Sequence, residues 1–296
     1  MQIDTYLIYT TLILVGLCLG SFAGASMWRL RAFQLAQDEK EGDKSEHEEF
    51  KKLKKLTKAS LSNDRSQCLN CEYTLRWYDL VPLFSWITLG GKCRKCRKPI
   101  GYMEPLIELG VATFFVMSYA FWPYDLNSAY EIARFSLWLI SGVGFAIMFA
   151  YDAKWFLIPD KINFSVIALG VISATLVVIN SVDKSAAILN IVGAIMMLSG
   201  LYFALYLVSK GKWIGFGDIK LGLGLALLLA DWQLAFLTLF AANLLGCIIV
   251  IPAMIMGKLK RTSHVPFGPL LIVGFVIAGL FGRTIVDAFM NGFIII

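Results

Sequence analysis

Apolar segments separated by short polar connections make up most of the chain, and eight of them contain no charged residue. They are residues 5–27, 109–124, 135–151, 162–182, 185–209, 221–230, 232–257 and 265–282. An α-helix needs about 20 residues to cross the hydrocarbon core of a bilayer. The pattern therefore predicts an all-α integral membrane protein with about eight transmembrane helices.

The sixth segment, residues 221–230, is too short to cross a membrane by itself. We expect its helix to begin earlier, near Gly215 or Gly217, where glycine lets the backbone turn tightly. That start places the Asp218 carboxylate in the headgroup region or below it. A charge there is costly and indicates a functional residue. The alternative is that Asp218 only caps the start of a helix.

Composition and charge agree with a membrane protein and add its orientation. Apolar residues make up 58% of the chain and charged residues 16%, which excludes an ordinary soluble domain. Of the 27 Lys and Arg residues, 24 lie in one alternating set of loops, residues 29–104, 152–161, 210–220 and 258–264. By the positive-inside rule these loops are cytoplasmic. The net charge of +6 thus reflects topology, and because no nucleic-acid motif is present we expect no nucleic-acid partner.

The long first loop divides the chain into three predicted parts. Residues 1–28 form the first transmembrane helix. Residues 29–104 form a cytoplasmic loop domain with a charged segment and two cysteine knuckles. Residues 105–296 form a polytopic membrane domain.

Acidic and basic residues make up 14 of the 21 positions from 38 to 58. Within this charged segment Phe50, Leu53 and Leu56 lie three apart, which gives one thin apolar stripe on a helix. The pattern favours a solvated cytoplasmic helix, with contact to a lipid surface as the second interpretation.

Two CxxC knuckles follow, Cys68-Leu-Asn-Cys71 and Cys93-Arg-Lys-Cys96, with 21 residues between them. Each knuckle brings two thiolates to one side of a tight turn, so two knuckles complete a tetrahedral zinc site. A cytoplasmic loop is reducing, which disfavours disulfides. Unmetallated or redox-active thiols are the alternative. The aromatic-rich segment 75–86 between the knuckles either packs on them or lies at the membrane surface.

Two aspartates lie at helix ends on the same predicted side of the membrane. Asp152 ends the third segment and Asp218 begins the sixth. Pro159 prevents a continuous helix beyond Asp152. Asp160 follows it, and its expected role is structural, to cap the fourth helix. Carboxylates that meet cannot both ionise easily and share a proton, as in aspartic proteases, where the pair activates water.

These motifs together resemble the bacterial type IV prepilin peptidases, membrane aspartic proteases with a GxGD motif. Gly215-Phe-Gly217-Asp218 matches that motif, and Asp152 with Pro159-Asp160 matches the family's Asp, six residues, Pro-Asp. Pro266 and Gly268 belong to a matching late Pro-Phe-Gly-Pro. Further matches are Gly20-Ser-Phe22, the paired cysteines, Arg76-Trp-Tyr-Asp79, Pro82, Ser85-Trp86 and Pro105-Leu-Ile-Glu108.

The resemblance implies that Asp152 and Asp218 are catalytic and that Asp160 is not. It implies cleavage of the basic leader of type IV prepilins or pseudopilins at the cytoplasmic face of the bacterial plasma (inner) membrane. It also implies N-methylation of the new N-terminus with S-adenosylmethionine. Departures fall in the amino-terminal part, which the family uses for methylation: Gly24 replaces the usual Asn, Leu69 the usual Pro, and residues 36–60 look like an insertion.

Two alternatives stay open beside the bifunctional enzyme. One is a peptidase without methyltransferase activity, because of those departures. The other, from a different class, is a polytopic transporter with a zinc-binding cytoplasmic loop. Transport by alternating access favours polar groups near the middle of the membrane. The centres of the apolar segments carry no charge and the two aspartates share one side, which favours the enzyme.

Overall fold

The structure, a computed structural model, describes residues 2–42, 46–58, 65–260 and 265–293. Across this part of the chain the fold is all-α, as predicted, apart from two isolated β-bridges. Within the described residues seven helices are long and apolar enough to cross a membrane. The chain forms two compact units, Met1–Val116 (unit 1) and Met117–Ile296 (unit 2).

Eleven α-helices lie in the described ranges. Unit 1 holds α1 (Gln2–Lys40), α2 (His47–Leu53), α3 (Phe84–Thr88) and most of α4 (Met103–Ala120). Unit 2 holds α5 (Ala129–Trp155), α6 (Asp160–Asn180), α7 (Lys184–Ile195), α8 (Leu201–Ser209), α9 (Phe216–Leu229), α10 (Trp232–Ile255) and α11 (Gly268–Phe293). A π-helical turn, Met196–Gly200, joins α7 to α8. Each predicted apolar helix is present, but α9 has only 14 residues and is not among the seven long helices.

The charged segment of unit 1 folds back onto the end of α1. Phe50, Leu53 and Leu56 are 7%, 2% and 8% exposed and form one apolar cluster with Ala32 and Leu35 of α1. The predicted stripe is present and packs on α1, while the lysines between its members remain exposed, as expected for a solvated helix: Lys51, Lys52, Lys54 and Lys55. A seven-residue helix is marginal alone, so packing against α1 stabilises it.

A buried arginine strengthens this contact. Arg31 of α1 is 2% exposed, and its guanidinium donates to Glu49 at 2.9 Å and pairs with Glu46. A buried charge needs partners because desolvation is costly. Glu46 and Glu49 of the charged segment therefore neutralise Arg31, and the apolar residues of the same segment pack on α1.

Two glycines bring α1 and α4 into backbone contact within unit 1. A methyl group at Gly16 would lie 2.6 Å from the Cα of Ala112, and one at Gly20 would lie 2.5 Å from the Cα of Glu108. Small residues four apart let membrane helices approach this closely. The Gly16–Gly20 spacing thus sets the α1–α4 distance.

In unit 2 the connection from α5 to α6 turns sharply, as Pro159 predicts. α5 continues one turn beyond Asp152, further than expected. Its last residue is Trp155. The next residue, Phe156, has a left-handed backbone (φ 56°), and its amide donates to the Asp152 carbonyl at 2.9 Å. Pro159 is the residue before α6, so the predicted break is confirmed.

α9 is a short helix enclosed by protein. Gly215 precedes its first residue, which confirms the predicted early start. At 1.5 Å per residue it is about 21 Å long, less than a bilayer core. Nine of its 14 residues are buried, and it packs against α6, α7 and α10. After Lys220 the helix carries only apolar residues, and a helical segment that is apolar on all sides belongs in a protein core, so this part of α9 need not face lipid.

Candidate active site and metal cluster

Asp152 lies in the last turn of α5 and is 5% exposed. Its Oδ2 accepts a hydrogen bond of 3.0 Å from the backbone amide of Gly268, the first residue of α11. The first amides of a helix have no partner within the helix and favour a negative group. The start of α11 therefore orients the Asp152 carboxylate.

Asp218 lies in the first turn of α9, and Ile158 links its surroundings to those of Asp152. A methyl group at Gly217 would lie 3.2 Å from Ile158 Cβ, and one at Gly268 would lie 3.3 Å from Ile158 Cδ1. Asp218 is the residue after Gly217, so the start of α9 and the Asp152–Gly268 contact both lie against Ile158. The structure thus brings Asp152, Asp218, Gly217 and Gly268 into one site around Ile158.

Two contacts from α6 hold the start of α9. The Asn163 side chain, fully buried, donates to the Gly217 carbonyl at 3.0 Å. Lys220 donates to Asp160 at 2.8 Å, and its ammonium lies over the rings of Phe164 and Phe216, 5.0 and 5.2 Å from their centroids. The expectation that Asp160 caps α6 is therefore wrong, because Pro159 holds the cap position. Asp160 is instead the ion-pair partner of Lys220, which lies two residues after Asp218.

The other motif residues shape the backbone. Gly215 is the residue before α9, and Pro159 the residue before α6. Pro266 lies in the short coil that precedes α11. None of them donates a side-chain hydrogen bond, since none carries a polar side chain. Gly215 holds the cap position of α9, and Asp218 in the first turn lies against it, since a methyl group at Gly215 would lie 3.4 Å from Asp218 Oδ2.

Sequence reasoning missed two buried polar residues of this site. Asn163 is a polar residue within a long apolar segment, a signal that could have marked it. Tyr202 of α8 is 4% exposed, and its ring packs edge-on against Phe267, with centroids 5.5 Å apart. Tyrosine is common in apolar segments, so nothing in the sequence distinguished Tyr202.

The four knuckle cysteines converge in unit 1. Their sulfur atoms all lie within 4.8 Å of one another, with Cys68 to Cys96 at 3.9 Å and Cys71 to Cys93 at 3.8 Å. A tetrahedral zinc with Zn–S bonds of about 2.3 Å holds its sulfurs about 3.8 Å apart. These four cysteines can hold a metal ion, and all are free thiols.

The knuckles share one backbone conformation. The amides of Cys68 and Cys93 each donate to the carbonyl five residues later, at 2.9 Å in both. The residues after the second cysteines, Glu72 and Arg97, have φ of 57° and 58°. Arg94 donates to the buried Asp79 carboxylate at 2.7 Å, so the aromatic-rich segment packs on the second knuckle.

Two of the thiols have displaced pKa values. Burial raises the pKa of Cys68 to about 12. Burial also opposes ionisation of Cys93, but hydrogen bonds from the backbone amides of Cys96 and Lys95 and from the Cys68 and Cys96 thiols together lower the pKa of Cys93 to about 7. A metal ion binds thiolates, so its binding here releases protons.

The fold and the site define a polytopic membrane protein with a carboxylate pair at the ends of two helices and a separate four-cysteine cluster. Comparison with known families agrees. Residues 14–122 match the bacterial peptidase A24 N-terminal domain, and residues 139–251 match the type IV leader peptidase family. The chain belongs to the type IV leader peptidase family.

Similar proteins span nearly the same length. The prepilin leader peptidase/N-methyltransferase of Pseudomonas aeruginosa is 29% identical over 94% of this chain and 92% of its own. The type 4 prepilin-like proteins leader peptide-processing enzyme of Escherichia coli is 31% identical over 88% of each chain. The Legionella pneumophila prepilin leader peptidase/N-methyltransferase is 27% identical over 97% and 96%. No solved structure matches. The transporter alternative receives no support.

Proposed function

We propose that this chain is a membrane aspartic endopeptidase that removes the basic leader from type IV prepilins or pseudopilins. The observation that carries the proposal is that the end of α5 with Asp152 and the start of α9 with Asp218 both lie beside Ile158. The family to which the chain belongs and the names of its relatives supply the substrate class.

The carboxylate pair performs the chemistry by sharing one proton. The ionised aspartate removes a proton from the attacking water, while the protonated aspartate donates its proton to the scissile carbonyl oxygen. When the tetrahedral intermediate collapses, the proton taken from water passes to the leaving amine and the oxygen-bound proton returns to the pair, which again holds one proton. The pair acts as a unit, so neither role is assigned to one residue. The amide of Gly268 holds Asp152 in a fixed orientation, which saves the cost of ordering it during the reaction.

Topology explains how the substrate reaches the site. The loops beside the two aspartates, residues 152–161 and 210–220, belong to the basic set that the positive-inside rule assigns to the cytoplasm. In a bacterial inner membrane a basic leader would stay on that side, while the apolar segment of the pilin lies in lipid. Cleavage then takes place at the membrane boundary.

Mass spectrometry of a co-expressed prepilin tests the peptidase. Asp152→Asn and Asp218→Asn should each abolish leader removal while the protein remains in the membrane. Asp160→Asn is the matched control, because this aspartate is 61% exposed and pairs with Lys220 outside the carboxylate pair. It should retain much of the activity. Near-normal processing by either of the first two variants would contradict the assignment.

A second activity, methylation of the freed α-amine from S-adenosylmethionine, is assigned to unit 1. An α-amine titrates at about 7.7–8.0, so part of it is already reactive near neutrality and the enzyme mainly supplies proximity. Glu104 of α4 accepts from Trp28 Nε1 at 2.9 Å through Oε1. Its Oε2 is the only buried side-chain polar atom without a partner among the described residues of unit 1. This free oxygen could accept a hydrogen bond from an amine.

Purified enzyme, prepilin and labelled S-adenosylmethionine separate the two activities. Wild type should cleave and label the pilin, and Glu104→Gln should cleave it normally but label it at least tenfold more slowly. Cleavage should not need the cofactor. Cleaved but unlabelled pilin from wild type would show a peptidase only, and normal labelling by Glu104→Gln would exclude this residue.

The cysteine cluster is proposed to bind one structural zinc through Cys68, Cys71, Cys93 and Cys96. The sulfur spacing fits a tetrahedral four-thiolate site. Bound zinc would cross-link the two knuckles. Its binding free energy would stabilise the loop, which has little other secondary structure.

A further inference from the structure

Tyr202 lies where two parts of the candidate active site meet. Its ring packs against Phe267, the residue before the Gly268 amide that holds Asp152. About one helical turn before Tyr202, Ser199 donates to the Ile219 carbonyl, and one turn after it, the ring of Tyr206 packs on Phe216. These two contacts lie on either side of Asp218. Tyr202 therefore contacts the segment that orients one aspartate and lies between two contacts that flank the other.

The π-helical turn Met196–Gly200 determines which face of α8 carries Tyr202. A π-turn accommodates one extra residue, and without it the following side chains would be rotated by about 100° around the helix. The turn is packed on α9: Ser199 donates to the carbonyl of Ile219 at 3.1 Å, and a methyl group at Gly222 would lie 2.8 Å from the Leu198 carbonyl oxygen. The distortion is thus held in place next to Asp218.

The hydroxyl of Tyr202 is buried without a hydrogen-bond partner of normal geometry in the described part of the chain. Asn243 of α10 lies beside it and is the competing partner, because its amide nitrogen donates only one of its two N–H groups to the Leu239 carbonyl, at 2.8 Å. Leaving a buried hydroxyl unpaired destabilises a protein, and phenylalanine would fill the same space without that cost. A role in packing alone does not explain the hydroxyl.

We propose that Tyr202 is a positioning residue whose hydroxyl donates a hydrogen bond to Asp218 when substrate occupies the site. Catalytic hydrogen bonds are often long in the free enzyme and tighten in the complex. The bond would hold Asp218 toward Asp152 during proton transfer. The proposal rests on the proposed peptidase function and adds a residue outside the GxGD segment and the Pro-Phe-Gly-Pro segment.

The test is Tyr202→Phe, with Tyr206→Phe as the matched control. Tyr206 lies one turn later on α8 and packs on Phe216 through its ring, which phenylalanine preserves. Purified variants in nanodiscs would be assayed with purified prepilin for kcat and KM and by thermal unfolding. We expect Tyr202→Phe to lower kcat about 10- to 100-fold, the effect of losing one hydrogen bond to a charged group, with KM within about twofold. Its Tm should be unchanged or higher.

Each other result decides against the proposal. Wild-type kcat in Tyr202→Phe would overturn it, and so would a fall in kcat that accompanies a lower Tm. Asn243→Ala should keep wild-type kcat, and if it reproduces the loss, the hydroxyl serves α10 and not Asp218. Asp218→Asn separates a failure of the peptidase assignment from a failure of the role proposed for Tyr202. If that variant is active, the peptidase assignment fails, and if it is inactive while Tyr202→Phe is normal, only the role of Tyr202 fails.

Discussion

The amide of Gly268 and the carboxylate of Asp152 meet with no room between them for a side chain. A methyl group at position 268 would lie 2.8 Å from Asp152 Oδ2. Ordinary contact begins near 3.4 Å, so in Gly268→Ala the carboxylate must retreat by about 0.6 Å. Starting from 3.0 Å, the hydrogen bond would lengthen to about 3.6 Å, beyond the normal range.

The size of the effect follows from that lost bond. A hydrogen bond to a charged group is worth about 1.5–3 kcal/mol, and 1.36 kcal/mol is a factor of ten in rate. We therefore expect Gly268→Ala to lower kcat by about 10- to 150-fold. Stability should not fall for reasons of backbone preference, because alanine is the better helix former. The lost bond leaves a buried carboxylate oxygen without this donor, so Tm should fall moderately together with kcat.

Leader removal from purified prepilin, followed by mass spectrometry, measures the rate, and thermal unfolding of the same samples measures stability. The matched control is Gly110→Ala, also a helical glycine, where an added methyl group meets no atom within 4 Å. It should be as active as wild type. A Gly268→Ala enzyme within twofold of wild-type kcat, with unchanged Tm, would show that this amide does not orient the catalytic carboxylate.

Three further predictions concern the surroundings of the site and unit 1. Lys220→Met should lower activity less than tenfold, since its ion pair with the exposed Asp160 is worth about 1 kcal/mol or less, and Asp160→Asn should match it in the prepilin assay. Leu53→Ala should destabilise the packing of the charged segment on α1 by about 2–5 kcal/mol, seen as faster proteolysis within residues 46–58. Elemental analysis should find about one zinc per chain. In Cys93→Ser the zinc should be absent, and protease should then cut the knuckle region faster than in wild type. Four freely titrating cluster thiols in native, metal-free protein would contradict the zinc site.

Much of the architecture could be predicted from local patterns along the chain. Charge-free segments locate the helices because a bilayer tolerates neither charge nor unpaired backbone groups over that length. The short run 221–230, with glycines before it, was enough to place the start of α9 near Gly215. Cysteine spacing was enough to indicate one cluster, because a CxxC turn is a local structure that needs no long-range packing.

Side-chain partners distant in sequence could not be predicted in this way. Asp160 was expected to cap its own helix, yet its partner is Lys220, sixty residues away, which reaches it because α6 packs along α9. The apolar stripe on the charged segment is visible in the sequence. Its packing on α1 could not be predicted, because it depends on Arg31 and on the apolar residues at the end of that helix.

The sequence by itself determined the membrane class, the paired aspartates and the cysteine cluster, since each depends on residue type and spacing. Only the tertiary structure decided what surrounds them. The Gly268 amide that donates to Asp152, the Asn163 side chain that donates to the Gly217 carbonyl and the Tyr202 ring that packs on Phe267 all come from separate helices. Helix packing selects such neighbours through the shapes of whole faces, and a single sequence does not encode that geometry locally.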